Sequence, residues 1–156
     1  MATHDTIEEK ALLADYLSRR LEWHRNNEVP FLQGLSSVTV LTYFFTGSEA
    51  EADTSFPHLE CAIRETWRHC GLLHTVIVAN SRFGCISRFA NLYQNHVEIQ
   101  IEPTLVPGSV ESMSADCNGM LYKRFSTKYV LIIQNDGFPL RPIKDGSPGR
   151  SGKPSF

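Results

Sequence analysis

The residues best placed to do chemistry are Gln134-Asn135-Asp136-Gly137, which directly follow the run Tyr129-Val130-Leu131-Ile132-Ile133. A run of β-branched and aromatic residues without a polar break reads as a strand buried on both faces. In open parallel α/β sheets, ligands sit just beyond the carboxyl ends of such strands. Asp136 therefore stands where a carboxylate could meet a ligand or a metal ion. Asn135, Asp136 and Gly137 are also turn formers, and a plain turn is the competing account. Other reactive residue types do not assemble. Cys61, Cys70, Cys85 and Cys117 form no CxxC pair, so buried reduced thiols are expected. His69, His74 and His96 are scattered and make no ligand cluster.

The elements that must position this group can be read from periodicity. Residues 6–25 predict an amphipathic helix, with Ile7, Leu12, Leu13, Tyr16, Leu17, Leu21 and His24 near a 3.6 period and Thr6 with Glu9 as a capping box. Residues 37–46 predict the first strand, rich in β-branched and aromatic residues. An acidic loop follows over 47–53, then a helix capped by Ser55, with Pro57 in its first turn and Gly71 closing it. A second strand is expected over 74–80, ending in Ala79-Asn80, then a short helix or loop over 82–93. Residues 97–101 alternate in polarity and suggest an edge strand. Residues 109–125 predict a second crossover helix, with Val110, Met113, Cys117, Met120, Leu121 and Phe125 on one face.

This alternation predicts right-handed crossovers and a mostly parallel sheet between two layers of helices. The fold class is therefore three-layer α/β/α, Rossmann-like. By analogy with doubly wound folds, the first and fourth strands meet at the topological switch point. Thr46-Gly47, Asn80 and Asn135-Asp136 then share one rim.

Composition confines the remaining choices. A chain of 156 residues with 42% hydrophobic and 21% charged content suits one soluble globular domain. A net charge of −2 gives no electrostatic case for nucleic acid or an anionic membrane as partner. No apolar run approaches a membrane span, and Met1-Ala2-Thr3-His4-Asp5 is not a signal peptide, so a cytoplasmic location is expected. From Ile143 onward the chain is rich in Gly, Pro, Ser and cations and is expected to be disordered.

Three segments carry a resemblance: Ala62-Ile63-Arg64-Glu65-Thr66-Trp67, residues 116–125, and above all residues 128–138. Through them the chain resembles the amino-terminal, nucleotide-binding half of GT-A-type glycosyltransferases, and more narrowly a bacterial family of glycosyltransferase-like proteins. The resemblance implies a nucleotide-sugar donor and a saccharide acceptor. It also implies a divalent cation, Mn²⁺ or Mg²⁺, bridging the donor diphosphate from an acidic motif after the fourth strand. Asp136 matches the acidic position of that motif, while Gln134 stands where its first acid would fall. It further implies that Tyr43, Thr46 and Gly47 receive the nucleoside, with Asn80 and Asn135 able to hydrogen-bond the donor. Arg82 and Arg88 could approach phosphates, although such residues more often form a solvated face.

The implied organisation is a helical extension over 1–35, a nucleotide-sugar-binding half-domain over 36–142 and a disordered tail over 143–156. Because the family's carboxyl-terminal half supplies the acceptor pocket, a truncated product without transfer activity of its own is expected. The alternative is a non-catalytic nucleotide-binding or protein-interaction module that uses the amino-terminal helix as a partner surface. A dinucleotide-binding enzyme fits poorly, because Thr46-Gly47-Ser48-Glu49-Ala50 is no GxGxxG turn and its acidic continuation repels pyrophosphate. No GxSxG elbow supports a hydrolase.

Overall fold

Four parallel strands form the centre of the molecule in the order β3-β2-β1-β4. They are β1 (Val38–Phe44), β2 (His74–Ala79), β3 (Val97–Ile101) and β4 (Tyr129–Ile132). The helices are α1 (Ile7–Asn26), α2 (Glu49–Cys70), α3 (Gly84–Leu92) and α4 (Val110–Arg124). This computed structural model describes residues 7–27, 31–135, 137 and 139. Register places Thr39 of β1 opposite His74 of β2 and Val38 opposite Tyr129 of β4, so β1 and β4 are neighbours, as the analogy with doubly wound folds predicted.

Side-chain alternation along β1 assigns the helices to faces. Val38, Val40 and Phe44 pack with Leu59, Ile63 and Trp67 of α2 and with Ile86 and Phe89 of α3. Leu41, with Val76 and Val78 of β2, faces the other way onto Leu105 and onto Met113 and Leu121 of α4. Right-handed crossovers require this split. The chain steps from β1 to β2 to β3 in one direction, then returns past both strands to β4, which sends α4 to the opposite face. Trp67 is the largest core residue and is 0% exposed. It stacks on Phe89 with centroids 5.7 Å apart, meets Phe31 and Tyr93 edge-on, and donates its Nε1–H to Thr75 Oγ1 at 3.0 Å.

Three expectations need correction. The first concerns the acidic loop, which is in fact the opening of α2. Ser48, not Ser55, is the N-cap, accepting from the Glu51 N–H at 3.2 Å, and Pro57 lies inside the helix. Ala52 and Phe56 before the proline and Leu59 and Ile63 after it are all buried, and packing on both sides outweighs the one backbone hydrogen bond that the ring removes. The second concerns β4, which is an edge strand. Tyr129 is 40% and Ile132 44% exposed, because among the described residues β4 pairs only with β1. The apolar sequence reported the chemistry of the strand and not its position. The third concerns α1, where Ile7, Leu12 and Tyr16 are exposed, and Leu12 is 69% so. Residues 82–93 resolve as the short helix α3, and β3 is the other edge, as its alternation suggested.

α1 lies outside α2 and is held as much by charge as by apolar contact. Leu17 and Leu21 close over Cys61, whose thiol burial pushes up to about 12. Next to them Glu65, its side chain 2% exposed, accepts from Arg20 Nε at 2.5 Å and lies 3.2 Å from His24 Nε2. Glu60 accepts from Arg25 at 3.2 Å and from Arg64 at 2.8 Å. Burial pushes the Glu65 carboxyl up, but the hydrogen bonds to His24 and Arg20 and the Arg20 charge outweigh it, leaving the group at about 2.

Two outcomes follow for stability. A depressed folded-state value means that Glu65 stabilises the native state above the ordinary carboxylate range, and that this contribution disappears as pH falls toward 2. Urea denaturation from pH 7 downward is expected to show a steeper loss for the wild type than for Glu65→Gln. Equal slopes would remove Glu65 as the anchor. Trp67→Ala is expected to cost about 3–5 kcal/mol in the same assay.

Candidate functional site

The switch point lies between β1 and β4, where one connection leaves toward α2 and the other strand arrives from α4 on the opposite face. At the carboxyl ends of β1 and β2, Thr46 and Asn80 are tied by two reciprocal hydrogen bonds. The Thr46 N–H donates to Asn80 Oδ1 at 3.3 Å, and Asn80 Nδ2 donates to the Thr46 carbonyl at 2.9 Å. The amide spends one donor and one acceptor on the backbone and keeps one of each. Thr46 Oγ1 donates to the Ser48 carbonyl at 3.2 Å.

The chain then enters α2 through a cap made from its own acids. The Gly47 N–H donates to Glu51 Oε2 at 3.0 Å, and the Gly84 N–H, opening α3, lies 3.3 Å from both Glu49 carboxylate oxygens. Backbone donors at helix amino termini attract anions. Here both termini are already met by carboxylates. A phosphate approaching either one has to displace a glutamate of like charge.

A shallow recess of about 470 Å³ opens on this rim, lined by Thr46, Ala50, Glu51, Thr54 and Ser55. The Thr54 and Ser55 hydroxyls donate back to the carbonyls of Ala50 and Glu51 at 3.0 and 2.7 Å, so their oxygens face outward as acceptors. A larger cavity of about 1290 Å³ lies between α1, α2 and α3, walled by Trp23, Phe31, Arg64, Arg68, Phe89 and Tyr93. None of the predicted rim residues lines it.

Of the predicted site residues, the structure brings together Thr46, Gly47 and Asn80. Tyr43 points to the α4 face, where its hydroxyl donates to Asp116 Oδ2 at 2.7 Å and accepts from Cys117 Sγ at 3.3 Å. Burial, then the Cys117 and Asp116 hydrogen bonds, raise the Tyr43 phenol above its ordinary value, so it stays protonated and donating. Asn135 is exposed after β4, where Gln134 and Gly137 exchange backbone hydrogen bonds at 2.9 and 3.2 Å. Asp136 lies outside the described residues, as does the tail from Ile143. Arg88 is exposed, 3.7 Å from Asp53.

Among the described residues no group of three or more His, Cys, Asp or Glu is arranged to hold a metal ion. Beside the end of β4 the described side chains Gln134 and Asn135 offer neutral amide oxygens, weak donors for a hard divalent cation on their own.

The pattern reading missed two features. One is the self-capped acids Glu49 and Glu51, although the Ser48-x-x-Glu51 spacing is a readable capping box. The other is the buried Arg124, which donates to Asp116, to Glu102 at 2.9 Å and to Gln100 at 3.1 Å and so links α4 to the β3 edge. That link crosses elements and has no local signal. No family model, curated protein or solved structure matches the chain. No helix among the described residues is long and apolar enough to cross a membrane.

Asn80→Ala removes both ties to Thr46 and is expected to cost about 1–2 kcal/mol while the fold persists. Tyr43→Phe leaves Asp116 paired with Arg124 and is expected to cost about 1 kcal/mol. Thermal melts of both variants check this, and a loss at Tyr43 well above that at Asn80 would reverse their assigned weights.

Proposed function

We propose that the rim at the carboxyl ends of β1 and β2, beside the β1–β4 switch point, binds the nucleoside of a nucleotide-sugar donor, and that the chain is the donor-binding portion of a glycosyltransferase-like protein. The observation that carries this reading is the switch point: β1 and β4 adjacent and parallel, with their connecting helices on opposite faces. Asn80 keeps one donor and one acceptor for a base edge. The outward oxygens of Thr54 and Ser55 accept from ribose hydroxyls in the recess beside Thr46. The diphosphate lies away from the α2 and α3 amino termini, which Glu49 and Glu51 fill. In the proposal Asp136 serves the diphosphate, together with a cation that the phosphates themselves help to hold.

A second reading, a module that binds nucleosides without catalysis, is favoured by the same two glutamates, which disfavour phosphates. Calorimetric titration separates the two. Uridine diphosphate with Mn²⁺ is expected to bind at least about tenfold more tightly than uridine, a difference near 1.4 kcal/mol. Asn80→Ala is expected to weaken both ligands, and Asp136→Asn only the diphosphate. Equal affinity for uridine and its diphosphate supports the module. No binding of either ligand to the folded protein overturns both readings.

A further inference from the structure

β4 has the sequence of an interior strand and the position of an edge. Its residues Tyr129-Val130-Leu131-Ile132 carry no charge, while β1 covers one side only among the described residues. Edge strands are normally protected by charge, proline or a bulge. β4 has none of these within its span.

The backbone of β4 defines what the open side offers. Tyr129 and Ile133 donate their N–H groups toward β1, to the carbonyls of Ser37 and Leu41 at 2.9 and 3.0 Å. Alternation along the strand turns the N–H and C=O groups of Val130 and Ile132 away from β1. Further on, Gln134 pairs with Gly137, but Pro139 has no N–H with which to carry that pairing back along β4.

We propose that the β4 edge is the contact between two copies of this chain, joined antiparallel across a two-fold axis beside Val130. The sequence is self-complementary in this arrangement. Val130 meets its own counterpart on the α4 face, and Tyr129 meets Leu131 of the second copy on the α2–α3 face, an aromatic–aliphatic cross-strand pair. No like charges oppose each other, because Lys128 falls opposite Ile132. The isologous contact makes one continuous sheet through both copies. A four-residue strand buries less than the roughly 800 Å² per partner of a standard interface, so the dimer is weak and concentration-dependent.

Sedimentation velocity over a concentration series tests the proposal. The wild type is expected to move from monomer to dimer as concentration rises. Val130→Pro removes an outward N–H and leaves the inward bonds of Tyr129 and Ile133 to β1, so it is expected to stay monomeric with an unchanged far-ultraviolet circular dichroism spectrum. Should the proline variant lose that spectrum, Ile132→Lys, which places a charge on the edge, decides in its place. A wild type that is monomeric throughout, or that grows without limit instead of stopping at the dimer, overturns the proposal. So does a dimer that persists in the folded variants, which would point to the exposed Leu12 and Tyr16 of α1.

Discussion

The parallel ladder of β1 is the constraint from which the rest follows. β1 pairs with β2 on one side and β4 on the other, and right-handed crossovers leave only one way to achieve that order. α2 and α3 have to lie on one face and α4 on the other. The crevice between β1 and β4 is thus a consequence of chain direction and handedness before any side chain is considered. The aromatic cluster around Trp67 fills the α2–α3 face, and the smaller cluster around Leu41 fills the α4 face. Buried threonines tie the sheet to its surroundings: Thr75 accepts from Trp67 of α2 across the layers, and within the sheet Thr42 donates to the Ile133 carbonyl at 2.9 Å, fixing the chain as it leaves β4.

Electrostatics then narrow what the crevice accepts. In many doubly wound folds the helix amino termini at the rim are the phosphate sites. In this chain Glu51 holds the Gly47 N–H and Glu49 holds the Gly84 N–H, so the positive ends of α2 and α3 are neutralised from within. Asn80, Thr46, Thr54 and Ser55 contribute hydrogen-bonding capacity to the rim without charge of their own. Such a surface suits a nucleoside better than a bare phosphate.

The alternating fold was legible because its signals are local and repeated. Apolar runs of strand length and Gly71 at the end of a helix each act within a few residues, and Gly71 does close α2. The start of α2 was misplaced because Pro57 was read as a first-turn residue. Cooperative packing of Phe56, Leu59 and Ile63 overrides that preference. Within the site, Thr46, Gly47 and Asn80 were placed by topology alone, as ends of neighbouring strands. The role of Tyr43 was not legible from strand position, since its partner Asp116 is 73 residues away and on another element. Glu65 was equally hidden: in sequence it is one acid on an amphipathic helix, and only the packing of α1 surrounds it with Arg20 and His24.

The apolar character of β4 and the charge anchoring of α1 show the same balance from opposite sides. α1 has an apolar stripe too narrow to hold it, with Leu12 and Tyr16 left in solvent, and the Glu65 and Glu60 pairs supply the remaining attachment and its geometry. Excluding water strengthens the attraction but also strips hydration from each charge, so such a pair holds only where the buried carboxylate is fully hydrogen-bonded, as Glu65 is by Arg20 and His24. β4 has the reverse problem. Among the described residues its backbone is paired on one side only, and its side chains are more apolar than its exposure warrants. A strand of such composition lowers its free energy with each neighbour it gains. β1 pairs with β4 on one side and carries Thr46 of the candidate rim beyond its end, so a neighbour gained by β4 extends the same sheet that positions that rim.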